Sequence, residues 1–400
     1  MPSNDTLTMP RTPDLLGDYE PGAFFFASPA RTLLARGVCR EVPHSTTADL
    51  RGRVATALRE AEEAGHPAPM VVGAVPFRED RPARLLVPAA VRWTGPVARR
   101  TDASAACPEP VAGTFTAFGP VPAPGDYVRG VERALTKLTA GELKKIVLAR
   151  ALDVTLGAPV DVGGVLGNLV RRDPQAYGYA VDLPVGGRPG TGPRTLLGAS
   201  PELLVARSGR AITTNPLAGS APRHPDPVVD SARARALLTS DKDLREHALV
   251  IENIVEALRP YCRDLNVPAG PSLLSTASMW HLSTRITGVL DDPSVTSLEL
   301  ATLLHPTPAV CGTPARAARQ AIEEIEPFDR GLYAGLVGWG DIHGDGEWVV
   351  TIRCAEVADR TMRLFAGAGI VAGSVPESEL AETTAKFQTM LHAAGLGQGH

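Results

Sequence analysis

Asp243 and Glu246 stand three residues apart in SDKDLREHALVIENIVEAL, and Glu379 and Glu382 repeat that interval in PESELAETTAKF. Positions three apart share a face of a helix, so each segment would present a pair of carboxylates. Two such pairs suit a hard, oxygen-preferring cation such as Mg²⁺. The same spacing is that of solvated acids in first helical turns, where the helix dipole favours them, and spacing alone favours this plainer outcome. Lys145 opens the run Lys-Ile-Val-Leu-Ala-Arg. Strand alternation puts it on one face with Val147 and Ala149. An amine pointing with those apolar side chains loses solvent, which favours its neutral, basic form. A strand-end lysine reaching water is the alternative. Glu202, in GASPELLV, could be a carboxyl at a strand edge that faces a cavity, stays protonated and acts as a general acid. Taken in isolation, an exposed turn glutamate is the favoured reading.

Arg353 falls inside the apolar run 349–355, read as a strand. A buried arginine needs an anion, either an internal carboxylate or one on a substrate. Lys386 follows Glu382 by four residues, the spacing of an ordinary Glu–Lys surface pair. Gly367 and Gly369 in FAGAGIVAG allow close approach of the backbone to a ligand. The spacing GxGxxxG, with no helix directly after it, is not the dinucleotide fingerprint. His281 and His305 read as satisfied structural histidines, and His247 as a structural neighbour of the first acidic pair. Walker A, HExxH and GxSxG motifs are absent.

The elements that must carry these residues follow from periodicity. KKIVLARALDV is β-branched and reads as a strand. SDKDLREHALVIENIVEALRPYC reads as a helix that starts at a Ser240/Asp243 capping box and closes at Pro260, with Leu244, Ala248, Ile251, Val255 and Leu258 as its buried stripe. LYAGLVGW and GEWVVTIRCAEV flank GDIHGDG as a hairpin, and a last helix spans about 376–394. Upstream, AFFFAS, PMVVGAVPF and ARLLVPAAV read as strands around a helix in which Val54, Leu58 and Ala61 keep helical spacing and Gly65 ends the run. Residues 100–125 read as a long Pro/Ala/Gly-rich connection, 183–194 as the tip of a hairpin, and 1–20 as a loose tail.

Composition excludes several classes. The chain has 400 residues, with Lys+Arg 40 against Asp+Glu 44, for a net charge of −4. That balance argues against general nucleic-acid binding. No apolar run reaches the ~20 residues needed to span a bilayer, so no membrane partner is expected. The start lacks the pattern of a secretory signal. Five scattered cysteines form no CxxC pair and no disulfide framework, which points to a reduced, cytoplasmic protein.

Taken together and in order, KIVLAR, GASPELL, PLAGS, SDKDLREH, MWHLSTRITG, LHPTPAVCGTP, EPFDRGLYAGLVGW, EWVVTIRCA and LFAGAGIV resemble the chorismate-utilising enzymes. Within them the chain is most similar to isochorismate synthases of the siderophore, 2,3-dihydroxybenzoate type, over nearly its whole length. The resemblance implies an α+β fold: one large chorismate-binding domain from residue 21 onward, with two packed, mostly antiparallel sheets and helices outside. It implies that Lys145 activates water for attack at C2 of chorismate and that Glu202 protonates the departing C4 hydroxyl. Glu246 and Glu382 would be Mg²⁺ ligands, flanked by Asp243 and Glu379. Arg353, Gly367 and Lys386 would hold substrate carboxylates. Gly219, Ser220, His281, Ala309 and Tyr333 would line the pocket. Salicylate synthases, which add pyruvate elimination, and menaquinone-pathway isochorismate synthases remain alternatives. Lys145 argues against the aminating relatives, so no glutaminase subunit is expected, and a monomer is expected because no coiled-coil stretch appears.

Overall fold

The first strand sets the architecture. In Phe24–Ala27, Phe24 and Phe26 turn one way and Phe25 and Ala27 the other, as strand alternation requires. Both sides are apolar, so the sheet must be covered on both faces. A computed structural model describes residues 14–43, 46–97, 115–183 and 193–396. Its first sheet runs through strands 312–313, 145–156, 361–370, 354–358, 194–200, 177–183, 24–27, 32–36 and 90–94, with 115–121 pairing on the outer edge of 145–156. The second runs 262–266, 286–290, 211–215, 203–208, 346–350, 336–341, 70–75, 84–87 and 40–41. Phe24, Phe26, Leu33 and Leu148 of the first sheet share a core with Val72, Leu85, Val205 and Trp348 of the second. The outer face of the first sheet packs Phe25, Leu34 and Leu364 under helices Val162–Arg172 and Pro376–Ala393.

This is the α+β arrangement the sequence implies, with one addition. A third, three-stranded sheet joins Leu217–Pro222, Met279–Ser283 and Ser272–Ser275. It carries Gly219, Ser220 and His281 toward the other functional residues.

Several local expectations hold. The Lys145–Leu156 strand forms, as does the hairpin of Leu336–Asp341 with Gly346–Val350. Val54, Leu58 and Ala61 are buried on helix Thr47–Glu63. Strands 177–183 and 194–200 pair as a hairpin, though most of the tip expected between them lies outside the described residues.

Others are corrected. The buried face of helix Asp241–Leu258 is Glu246, His247, Val250, Ile254 and Leu258, not the stripe of Leu244, Ala248, Ile251 and Val255; Ala248 is exposed. The helix turns its polar pair inward because the cavity, not the core, lies there. Residues Phe115–Val121 form a strand instead of continuing a loop; the rest of the expected connection, up to 114, lies outside the described residues. Leu15, Leu16 and Tyr19 are buried in the helix-side core, so this part of the expected tail is packed.

Arg353 is also corrected. It is not within a strand but at the break between Gly346–Val350 of the second sheet and Cys354–Ala358 of the first. The chain changes sheets there, and Arg353 takes φ 51°, a conformation non-glycine residues rarely adopt.

Candidate active site

The Lys145–Leu156 strand pairs along one edge with Thr361–Ile370, setting Val147 beside Gly369 and Ala149 beside Gly367. Glu246 of helix Asp241–Leu258 reaches Gly369, and Tyr333 reaches Gly367. The fit is close: a Cβ on Gly369 would come within 2.1 Å of Glu246 Oε1, and one on Gly367 within 2.8 Å of the Tyr333 hydroxyl. The close approach at these glycines is by the protein's own side chains, where the sequence suggests a ligand.

Around this seam opens a cavity of about 600 Å³, counting solvent at its mouth. Glu202, Gly219, Ser220, Glu246, His281, Ala309, Tyr333, Arg353, Gly367, Glu382 and Lys386 all line it. Three expected residues sit just behind this lining. Lys145 is fully buried, with Nζ 3.0 Å from Glu246 Oε1. That contact lies off the hydrogen-bonding direction, so the ammonium has an ion-pair neighbour but no hydrogen-bond partner. Asp243 packs against Gly219, whose φ of +80° and missing side chain make the room. Glu379 is 1% exposed and accepts from Lys242 Nζ at 2.6 Å.

The plainer reading of the acids as solvated first-turn residues fails for Glu246, Glu379 and Glu382, which are turned inward. Asp243 keeps part of that role. Ser240 caps the helix by accepting from the Asp243 amide at 3.3 Å.

The electrostatics divide these groups. Glu202 is buried, and desolvation lifts its carboxyl to about 7, against the smaller opposing pull of the Leu217 amide and of Lys145, Arg353 and Lys386. It is therefore substantially protonated near neutrality. Burial alone would raise Glu382 too. There the Lys386 ammonium at 2.6 Å, with Lys242 and the Ser220 hydroxyl at 2.9 Å, wins and lowers it. Glu379 is raised by burial and by the Glu382 charge. His281 is held well below the imidazole range by burial and by the positive charges of Arg353 and Lys386. Neutral, it accepts from Arg353 Nη2 through Nε2 at 3.2 Å. Arg353 Nε has no partner in the interior, so this cation retains unused capacity for an anion. Lys386 also donates to the Gly367 carbonyl at 2.7 Å.

His247 and His305 are structural, as read. His247 bridges the Ala218 carbonyl and the Thr284 hydroxyl, and burial lowers it to about 4. His305 meets the Phe77 carbonyl at 3.3 Å.

The donor set was tested against a divalent cation. The carboxylate oxygens are of the right chemistry, and buried Glu379 Oε2 has no hydrogen-bond partner. In this arrangement, however, a lysine satisfies each of three glutamates: Lys145 for Glu246, Lys242 for Glu379 and Lys386 for Glu382. Among the described residues no group of three acidic, His or Cys side chains is gathered closely enough to hold an ion. The fit is one of donor chemistry, and it requires the glutamates to turn from their lysines.

Sequence reasoning missed Lys242, although it sits between two acids of SDKDLREH. It also missed the apolar wall of Pro201, Leu217, Val310, Ile352 and Phe365. Phe365 stacks on Tyr333 at 5.0 Å. No spacing signal marks these residues, because the strands and loops that bring them together are far apart in the chain.

Known proteins give this arrangement a context. The sequence profile described as "Chorismate binding enzyme" matches residues 101–395. The isochorismate synthase DhbC of Bacillus subtilis is 53% identical, with 99% of each chain covered. The isochorismate synthase EntC of Escherichia coli K12 is 38% identical over 98% of this chain and 100% of its own length. A crystal structure described as a 2,3-dihydroxybenzoate-specific isochorismate synthase from Bacillus anthracis superposes with a TM-score of 0.90 at 49% identity, covering 96% of this chain and 99% of that one. By profile, by identity over nearly its full length and by shared fold, the chain belongs to the chorismate binding enzymes and groups there with the isochorismate synthases.

Proposed function

We propose that the protein is an isochorismate synthase that interconverts chorismate and isochorismate and supplies a 2,3-dihydroxybenzoate-type siderophore pathway in the cytoplasm. What supports the reaction most directly is a single cavity that has a protonated buried carboxyl, Glu202, in its wall, a buried amine, Lys145, just behind it, and the cations Arg353 and Lys386 for an anionic substrate. The similarity to synthases named for 2,3-dihydroxybenzoate supports the pathway.

In this reading Arg353 and Lys386 pair with the carboxylates of chorismate, and Tyr333 and Phe365 cover the ring. Lys145 acts in this step as the neutral amine and takes a proton from water as the water oxygen bonds to C2. Both conjugated ring double bonds shift by one position, the C4–O bond breaks, and Glu202 gives its proton to the departing hydroxyl, which leaves as water. One water enters and one leaves, so substrate and product are isomers and the reaction runs in both directions. Microscopic reversibility makes Glu202 the base and Lys145 the acid in the return direction. Glu246 and Glu382, with Asp243 and Glu379 beside them, would hold Mg²⁺. The ion would neutralise a substrate carboxylate. The enzyme would work as a monomer without a glutaminase.

The test is product analysis with purified protein, chorismate and Mg²⁺. Isochorismate without pyruvate is expected; stoichiometric pyruvate and salicylate would assign a salicylate synthase instead. Lys145→Ala is expected to abolish turnover while circular dichroism stays unchanged, and near-normal turnover would remove the base assignment. Chelation of the metal is expected to stop turnover, and Mg²⁺ is expected to raise the melting temperature by binding only the folded chain. A Glu246→Gln variant with an unchanged metal titration would remove that residue from the ion site.

A further inference from the structure

The strand that carries Lys145 has an incomplete edge. Its inner edge pairs without a break from Ile146 to Thr155 against Thr361–Ile370. On its outer edge, Gly312–Thr313 covers Lys145 and Ile146, and Phe115–Val121 covers Ala151 to Leu156. Between them the backbone of Val147 and Ala149 faces outward with no strand opposite, although the Val147 amide still reaches the Cys311 carbonyl at 2.8 Å. Two side chains fill the gap. Glu326 Oε1 accepts from the Ala149 amide at 2.7 Å, and Arg330 Nη2 donates to the Val147 carbonyl at 2.7 Å.

The two are also a buried ion pair with side chains only 3% and 2% exposed. Arg330 Nε lies 2.9 Å from Glu326 Oε2, and Nη2 lies 2.5 Å from Oε1. Arg330 reaches two further parts of the cavity wall. Nη1 donates to the Val310 carbonyl at 2.7 Å, and the guanidinium lies 6.0 Å from the centre of the Tyr333 ring. Its guanidinium lies 4.5 Å from the centre of the Phe77 ring. A buried ion pair is weak as a source of stability, because desolvation offsets its attraction and an apolar pair of similar volume is often as good. What an apolar pair could not do is satisfy an amide and two carbonyls at set distances on two separate segments.

We propose that Glu326 and Arg330 are positioning residues. They replace the missing strand beside Val147 and Ala149, and they lock Val147, Val310 and Tyr333 into one wall against which the substrate ring lies. The consequence for turnover rests on the reading of the cavity as the chorismate site.

The paired variant Glu326→Leu/Arg330→Met tests this. It should remain folded, with a melting temperature lowered by the three buried backbone groups it leaves unpaired. Its kcat/KM for chorismate should fall about tenfold or more, since small misplacements at a reacting centre are costly. Hydrogen exchange at the Ala149 amide should become faster. Arg330→Lys, which keeps the charge but loses the fork, should lower kcat/KM in the same way with little change in melting temperature, and it decides the matter if the paired variant does not fold. Parental kinetics and parental exchange in a folded variant would overturn the proposal, as would a lowered melting temperature with unchanged kcat and KM. If the parent itself does not turn over chorismate, the functional reading fails, and exchange at Ala149 still decides whether the pair holds the strand.

Discussion

In the proposed reaction, Glu202 is the residue on which the chemistry turns. Its carboxyl is lifted from 4.5 to about 7 by burial. A general acid must carry its proton, so kcat/KM for chorismate is expected to fall as the pH rises through about 7. Glu202→Gln is expected to lose about 10²–10⁴-fold in rate and, in what activity remains, that alkaline limb; a limb that persists in the variant would belong to another group. The same shift has a stability consequence. Because the folded state favours the protonated form, the contribution of Glu202 is complete below the ordinary carboxyl value and is lost as the pH rises through about 7. Denaturant midpoints across pH 4 to 8 should therefore decline more for the parent than for Glu202→Gln. Gly369 supplies a steric prediction at this scale. A methyl group there would lie 2.1 Å from Glu246 Oε1, so Gly369→Ala must displace Glu246. Activity and Mg²⁺ affinity should both fall while the strand pairing survives, and an unchanged metal titration by calorimetry would contradict this placement.

At the scale of elements, two helices and four strands meet at the cavity. Helix Asp241–Leu258 begins at the Ser240 cap, and its second turn puts Glu246 into the site. Ser240→Ala should cost about 1 kcal/mol of stability, the usual value of an N-cap, read as a lower denaturant midpoint. An unchanged midpoint would mean that packing alone sets the start of the helix. The start and stop of this helix were legible in SDKDLREH and Pro260, because caps and proline act locally. Its buried face was not. Amphipathic reasoning assigns apolar residues inward, whereas here Glu246 and His247 are inward because a polar cavity and the Ala218 carbonyl receive them. Arg353 shows the same limit. Its run looks like one continuous strand, and only the change of sheet after Val350 reveals the break.

For the whole molecule, the two large sheets must stay in register for the cavity to keep its shape. Arg31, in the turn before Thr32–Arg36 of the first sheet, bonds Glu347 of the second at 2.7 Å. Its guanidinium lies 5.1 Å from the Trp93 ring centre and 4.6 Å from that of Trp339. Because Arg31 is partly solvated, this link is worth roughly 1 kcal/mol. Arg31→Ala should lower the denaturation midpoint by a corresponding amount with kcat nearly unchanged; a large loss of kcat would mean that the sheets slide and deform the site.

The amino-acid sequence by itself determined many of the strands and helices, the family likeness, and the identity of the side chains able to act. Those properties depend on local periodicity, on caps and on residue type. Only the tertiary structure decided that Glu202 sits in a desolvated wall, that Glu246, Glu379 and Glu382 are each held by a lysine, and that Arg353 stands at a crossing between sheets. Burial and charge pairing depend on which distant segments meet. Lys145 and Glu246, about a hundred positions apart in the chain, are neighbours because the Glu246 side chain lies over Gly369, which has no side chain to block it.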